Sequence, residues 1–310
     1  MKKLTISNGV EVYLTDCDAR EQSPRTIEGK ASSLKCFLAF CLACGIKWLI
    51  EVNEELLEKY RLYIRNYQNP RTNKKITQAT RRNKLTHVKG FCERVHRLKY
   101  LKNNPAIFFE LPKRPRVLTK AILSKGDLDK MFKQTDGFGD KGIRDRAIME
   151  LFWATGARSF ELAGMTLDCI NWEEGTIRIE KGKGRKDRII PLGKRAEKAV
   201  KKYLKTVRTS YLSFESGNTL FLNDRGEIFT YRQLGTLVTY YKLRAGVNKP
   251  KACMLFRHTC ATMLINGGAG LFHVKEILGH EDISTTQAYV HLAIDDLKQV
   301  YNKSHPAAKG

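Results

Sequence analysis

The sequence predicts a mainly α-helical chain of two domains, with one small antiparallel β-sheet in the second. Three observations carry that prediction. Apolar residues recur at helical spacing over several long stretches, and one pair of short segments reads as strands instead, the first of them alternating with period two. Between the two blocks runs Leu111-Pro112-Lys113-Arg114-Pro115-Arg116, whose prolines disfavour helix and whose charges favour solvent or phosphate. The boundary is therefore placed there, with domains at 1–112 and 113–310.

Residues 1–20 have no continuous apolar core and read as a small hairpin around Asn8-Gly9, not as a secretory signal. Ser23-Pro24 then gives a capping side chain followed by proline at the first helical position, opening a helix that runs through Leu42. A second helix is expected over 54–67 and a third over 78–98, the latter with Val88, Phe91, Val95 and Leu98 along one stripe. Its remaining surface carries Arg81, Arg82, Lys84, Lys89, Arg94 and Arg97, offset only by Glu93, so a DNA-facing helix is favoured over a merely solvated face. Asn104-Pro105 ends this block. Helices are expected next over 125–134 and 143–154. A strand pair over 176–180 and 188–191 follows, with Ile177 and Ile179 alternating against Arg178 and Glu180, and then helices to the end.

Composition limits the function. Of 310 residues, 56 are Lys or Arg and 32 are Asp or Glu, a formal net charge of +24, which makes a polyanion the first partner to consider. Both halves share it: 22 basic against 11 acidic residues through Lys113, and 34 against 21 beyond. The longest apolar run, 36–46, falls short of the ~20 residues of a membrane span, so a cytoplasmic protein without membrane contact is expected. Cys41 and Cys44 have the spacing of half a zinc site, with Cys36 and Cys92 as conceivable further ligands. The same residues fall on one helical stripe with Phe37 and Phe40, which favours small buried thiols.

The chemistry is carried by Thr155-Gly156-Ala157-Arg158-Ser159-Phe160-Glu161-Leu162, the basic turn Lys181-Gly182-Lys183-Gly184-Arg185-Lys186, Leu255-Phe256-Arg257-His258-Thr259, Leu278-Gly279-His280, and Tyr289. In this order and spacing they resemble the tyrosine recombinase (phage integrase) family, in its compact Xer-like or mobile-element form. The resemblance implies a helical core-binding domain at 1–112 and a mixed α/β catalytic domain with a tail helix at 113–310. It implies Arg158 and Arg257 as the phosphate clamp, Lys183 as the proton donor to the leaving 5′ oxygen, His280 as a support for the phosphate or nucleophile, and Tyr289 as the nucleophile. Glu161 would brace Arg158, and His258 would have a structural role. Lys181 and Lys186 suit the turn's acid role less well than Lys183, which stands between the glycines. Arg81, Arg82, Lys84, Lys89, Arg185 and Lys186 are the expected DNA contacts.

The residue types fit the reaction on their own terms. Attack on an anionic phosphodiester builds further negative charge, and a guanidinium presents a permanently charged planar fork to two oxygens. A phenol with an ordinary pKa of about 10 needs help to ionise but is a good leaving group, so the 3′-phosphotyrosyl bond can be reversed without ATP. No metal or nucleotide cofactor is expected. The partners implied are a double-stranded recombination site and further copies of the chain in a tetramer. Accessory DNA-bending or directionality proteins are compatible with this arrangement. The stripe Ile294, Leu297 and Val300 or Tyr301 after Tyr289 reads as a tail helix docking on a neighbouring subunit. Ser284-Thr285-Thr286-Gln287 reads as the cap of the helix carrying Tyr289.

One departure matters. The family's usual histidine three residues before the second arginine is Met254 here, and a thioether cannot exchange protons at neutral pH. That keeps two alternatives in view, a DNA-binding relative that cleaves weakly and a type IB topoisomerase-like enzyme.

Overall fold

The computed structural model describes residues 4–70, 72–113, 121–180 and 187–280. The chain divides into two compact units, Met1–Val117 and Leu118–Gly310, so the division falls a few residues beyond the sequence-based cut after Pro112.

In the first unit the opening segment is α1, Ile6–Ala19, which overturns the hairpin expected at Asn8-Gly9. Thr5 caps it by accepting from the Asn8 N–H at 3.1 Å. Ile6, Val10, Tyr13 and Cys17 form the buried stripe, and this period overrides the local Asn-Gly turn signal. Gly9 serves contact rather than turning, since a Cβ there would lie 3.3 Å from Leu49 Cδ2. Helix α2, Pro24–Ala43, starts on the Ser23 side chain with Pro24 in its first turn. Next come α3, Glu54–Asn66, a two-residue hairpin of β1, Gln68–Asn69, and β2, Lys74–Lys75, and then α4, Gln78–Arg97, capped by Thr77. The core closes on aromatic edges, with Phe37 and Tyr60 centroids 4.9 Å apart and Tyr13 and Phe91 5.7 Å apart. Cys41 and Cys92 are buried in it, but Cys36 is only half-buried and Cys44 is exposed, so the stripe of buried thiols stops short of the helix end.

In the second unit α5, Lys125–Lys133, opens on a Ser124/Asp127 capping box. Helix α6, Gly139–Thr155, is central: Ala147, Ile148, Met149, Leu151 and Phe152 are buried on several sides, as for a helix surrounded by others. The short α7, Ser159–Ala163, leads to a three-stranded antiparallel sheet in the order β3-β4-β5, with β3 at Ile170–Asn171, β4 at Thr176–Ile179 and β5 at Arg188–Pro191. The third strand, β3, is two residues long, too short to leave an alternating pattern. Then follow α8, Lys194–Thr206, α9, Tyr231–Arg244, α10, Cys253–Asn266, and α11, Leu271–Leu278. Among the described residues no helix is long and apolar enough to cross a membrane.

Candidate active site

The site is built where two helix ends meet a third helix. Helix α6 ends at Gly156 in the left-handed conformation, φ +59°, and α11 ends at Gly279, φ +63°. Gly156 is also a close approach: a Cβ on it would lie 2.6 Å from Leu278 Cδ2 and 3.3 Å from Cys260 Sγ. The left-handed turn at Gly279 lets the His280 N–H reach back to the Lys275 carbonyl at 3.1 Å, which fixes where the chain leaves α11.

Arg257 joins these ends. It is 1% exposed on α10, and its guanidinium donates to the Gly156 carbonyl at 2.8 Å and the Leu278 carbonyl at 2.6 Å. Both acceptors lie at helix C-termini, where the summed peptide dipoles are negative and favour a cation. The contact brings α10 to the segments carrying Arg158 and His280, each two residues beyond an acceptor.

Arg158 is held by Glu161. The Glu161 carboxylate accepts the Arg158 N–H at 2.8 Å and its Nη1 at 2.9 Å, and so holds Arg158 at the start of α7. It also accepts two bonds from Arg188 of β5, at 2.8 and 3.2 Å, and Arg188 Nε donates to the Ile277 carbonyl at 2.8 Å. Burial alone would raise the Glu161 pKa. The Arg188 bonds, the Arg158 N–H and both positive charges outweigh it and hold the carboxyl below its ordinary value. Arg158 keeps 29% of its side chain exposed, so a cation with limited freedom faces solvent. Sequence reasoning missed Arg188. The available signal was its register, since it alternates with Ile189 and so shares the buried face of β5 with Ile190.

His258 and His280 are buried, at 4% and 7% exposure, and Met254 stands 39% exposed on the first turn of α10. Burial pushes the Cys253 thiol up to about 12 and Cys260 up to about 11, so neither is a thiolate nucleophile at neutral pH. Lys183 belongs to the connection between Ile179 and Arg188, which pair across the hairpin. Lys183, Lys181, Arg185, Lys186, the Ser284–Gln287 cap, Tyr289 and the tail stripe lie outside the described residues. Among the described residues no group of three or more His, Cys, Asp or Glu side chains could hold a metal.

In the first unit, the α4 cations expected on DNA are half-buried and engaged with their own unit. Arg81 donates to the Arg65 carbonyl at 3.4 Å, Arg82 to the Pro112 carbonyl, and Lys89 to the Phe109 carbonyl at 2.8 Å. Lys84 lies 5.7 Å from the Tyr67 ring centroid, and Arg94 pairs with Asp16. Part of this charge therefore fastens the 109–113 segment to α4.

Comparison with known proteins follows the same lines. The phage integrase family model matches residues 121–295. Tyrosine recombinase XerC 2 of Ralstonia nicotianae is 31% identical over 304 residues, covering 98% of this chain and 87% of that protein. Tyrosine recombinase XerD of Staphylococcus haemolyticus is 37% identical over 224 residues, covering 72% of this chain and 75% of its own. Among solved structures, the Tn1549 transposon integrase in complex with a circular intermediate DNA is similar in fold, with a TM-score of 0.73 at 17% identity, covering 96% of this chain and 99% of that one.

Proposed function

The chain belongs to the phage integrase family, and from that membership we propose that it is a site-specific DNA recombinase that cuts and rejoins strands through Tyr289. The observation that carries the reading furthest is the Arg257 clasp, which gathers the Arg158 and His280 segments on α10. Arg158 and Arg257 neutralise the charge that builds on the scissile phosphate. Their preset positions limit reorganisation during the reaction. His280 supports the phosphate or nucleophile, and Lys183 protonates the departing 5′ oxygen. Tyr289 forms the 3′-phosphotyrosyl bond, and a 5′ hydroxyl from the partner strand reverses it. Residues 1–112 and the cations Arg81, Arg82, Lys84, Lys89, Arg185 and Lys186 grip the duplex in the cytoplasm, and four subunits act on two sites through the tail after Tyr289.

Tyr289→Phe tests the assignment, since the ring stays and only the nucleophilic oxygen goes. On a nicked duplex carrying a site recovered by binding selection, this variant should bind like wild type and form no covalent adduct. An adduct in Tyr289→Phe would overturn the nucleophile. Wild-type cleavage should persist in EDTA, because the arginines supply the positive charge; a strict magnesium requirement would overturn the mechanism. A wild type that binds its site and never cleaves would favour the binding-only reading that Met254 raises.

A further inference from the structure

Position 254 carries a thioether where the resemblance places an imidazole, yet another cation reaches the same part of α10 from outside the helix. Lys251 Nζ lies 3.2 Å from His258 Nε2. An ammonium only donates, so in a hydrogen bond between them Nε2 is the accepting atom. Met254 and His258 are four residues apart on one helix face, and helical side chains lean back over the preceding turn. The Lys251–His258 pair therefore lies along the face that Met254 opens, beside Arg257 in the chain.

The backbone is arranged to deliver that ammonium. Lys251 has φ +68°, a left-handed conformation that a residue with a side chain keeps only when its surroundings over-determine it. Lys242 of α9, 8% exposed, donates to the Lys249 carbonyl at 2.5 Å and the Lys251 carbonyl at 3.0 Å. The Lys249 ammonium in turn donates to the Ile122 carbonyl at 2.7 Å and to Asp127 at 2.5 Å. Two lysines thus fix the loop and the third is presented to His258. Glycine would satisfy this backbone without strain, so the side chain, not the turn, explains a lysine at 251.

We propose that Lys251 is a positioning residue for strand transfer: acting through His258, it provides on this face of α10 the donor-bearing cation that Met254 lacks. This rests on the recombinase reading, and the experiment separates the two. Single-turnover adduct formation on the nicked duplex, site binding and thermal unfolding would be measured for wild type, Lys251→Gly, Lys251→Arg, Met254→His and Lys251→Gly combined with Met254→His. Lys251→Gly should unfold at the same or a higher temperature and bind DNA unchanged, yet form adduct at least about tenfold more slowly. Lys251→Arg should restore most of the rate, and with histidine at 254 the glycine substitution should lose most of its effect. An unchanged rate in Lys251→Gly, an equal loss in both backgrounds, or a loss that tracks a lowered unfolding temperature would each overturn the inference. A wild type that forms no adduct overturns the recombinase reading, and this inference with it.

Discussion

At the scale of single residues, the site depends on groups whose value lies in what they omit or fasten. Gly156 has both a left-handed backbone and no room for a methyl group. Gly156→Ala should cost roughly 1–3 kcal/mol, the range for strain and overpacking at a special backbone position, and denaturant unfolding would measure it. A variant as stable as wild type would mean that Leu278 yields without penalty. The arginines and Glu161 were legible as residue types in order, because guanidinium and carboxylate chemistry is written in short motifs. The partners that orient them were not. Arg188 lies 27 residues from Glu161 and looks like an ordinary strand cation until the sheet is assembled. The left-handed turn at Lys251 leaves no trace in composition.

At the scale of elements, legibility followed the strength of local signals. Helices α2, α3, α4 and α5 were readable because capping side chains and long apolar stripes agree. The strong turn pair Asn8-Gly9 masks α1, whose helical period in Ile6, Val10, Tyr13 and Cys17 prevails because Gly9 packs against Leu49 and Phe91. The Glu161 carboxylate ties Arg188 of β5 to α7, and this makes that tie sensitive to acid. Glu161 has a folded-state pKa below its ordinary value of about 4.3, so its stabilisation is complete above that value and is lost as pH falls through the folded one. Glu161→Gln should unfold more easily than wild type at neutral pH, and the gap between them should narrow below about pH 4. Melting temperature against pH would check this; a gap that stays constant down to pH 3 would refute the ionised carboxylate as the cause.

At the scale of the whole molecule, the net charge of +24 is shared by both halves, and part of it, on α4, is structurally engaged. The α4 cations that hold the 109–113 segment still project positive potential while donating to carbonyls. Site binding should therefore weaken steeply with salt, by about 10³–10⁵ between 50 and 200 mM for a protein neutralising 6–10 phosphates. Affinity measured across a salt series gives the slope, and a nearly flat dependence would mean that the charge serves solubility rather than DNA.

The Arg257 clasp has a consequence for genetics. A guanidinium that ties two helix ends together cannot be removed without disturbing the fold, so inactive alleles at Gly156, Arg257 and Leu278 should come with poor accumulation of the protein. Arg158, partly exposed and backed by its own carboxylate, is the position where a screen for recombination-dead but well-expressed protein should find its separation-of-function alleles.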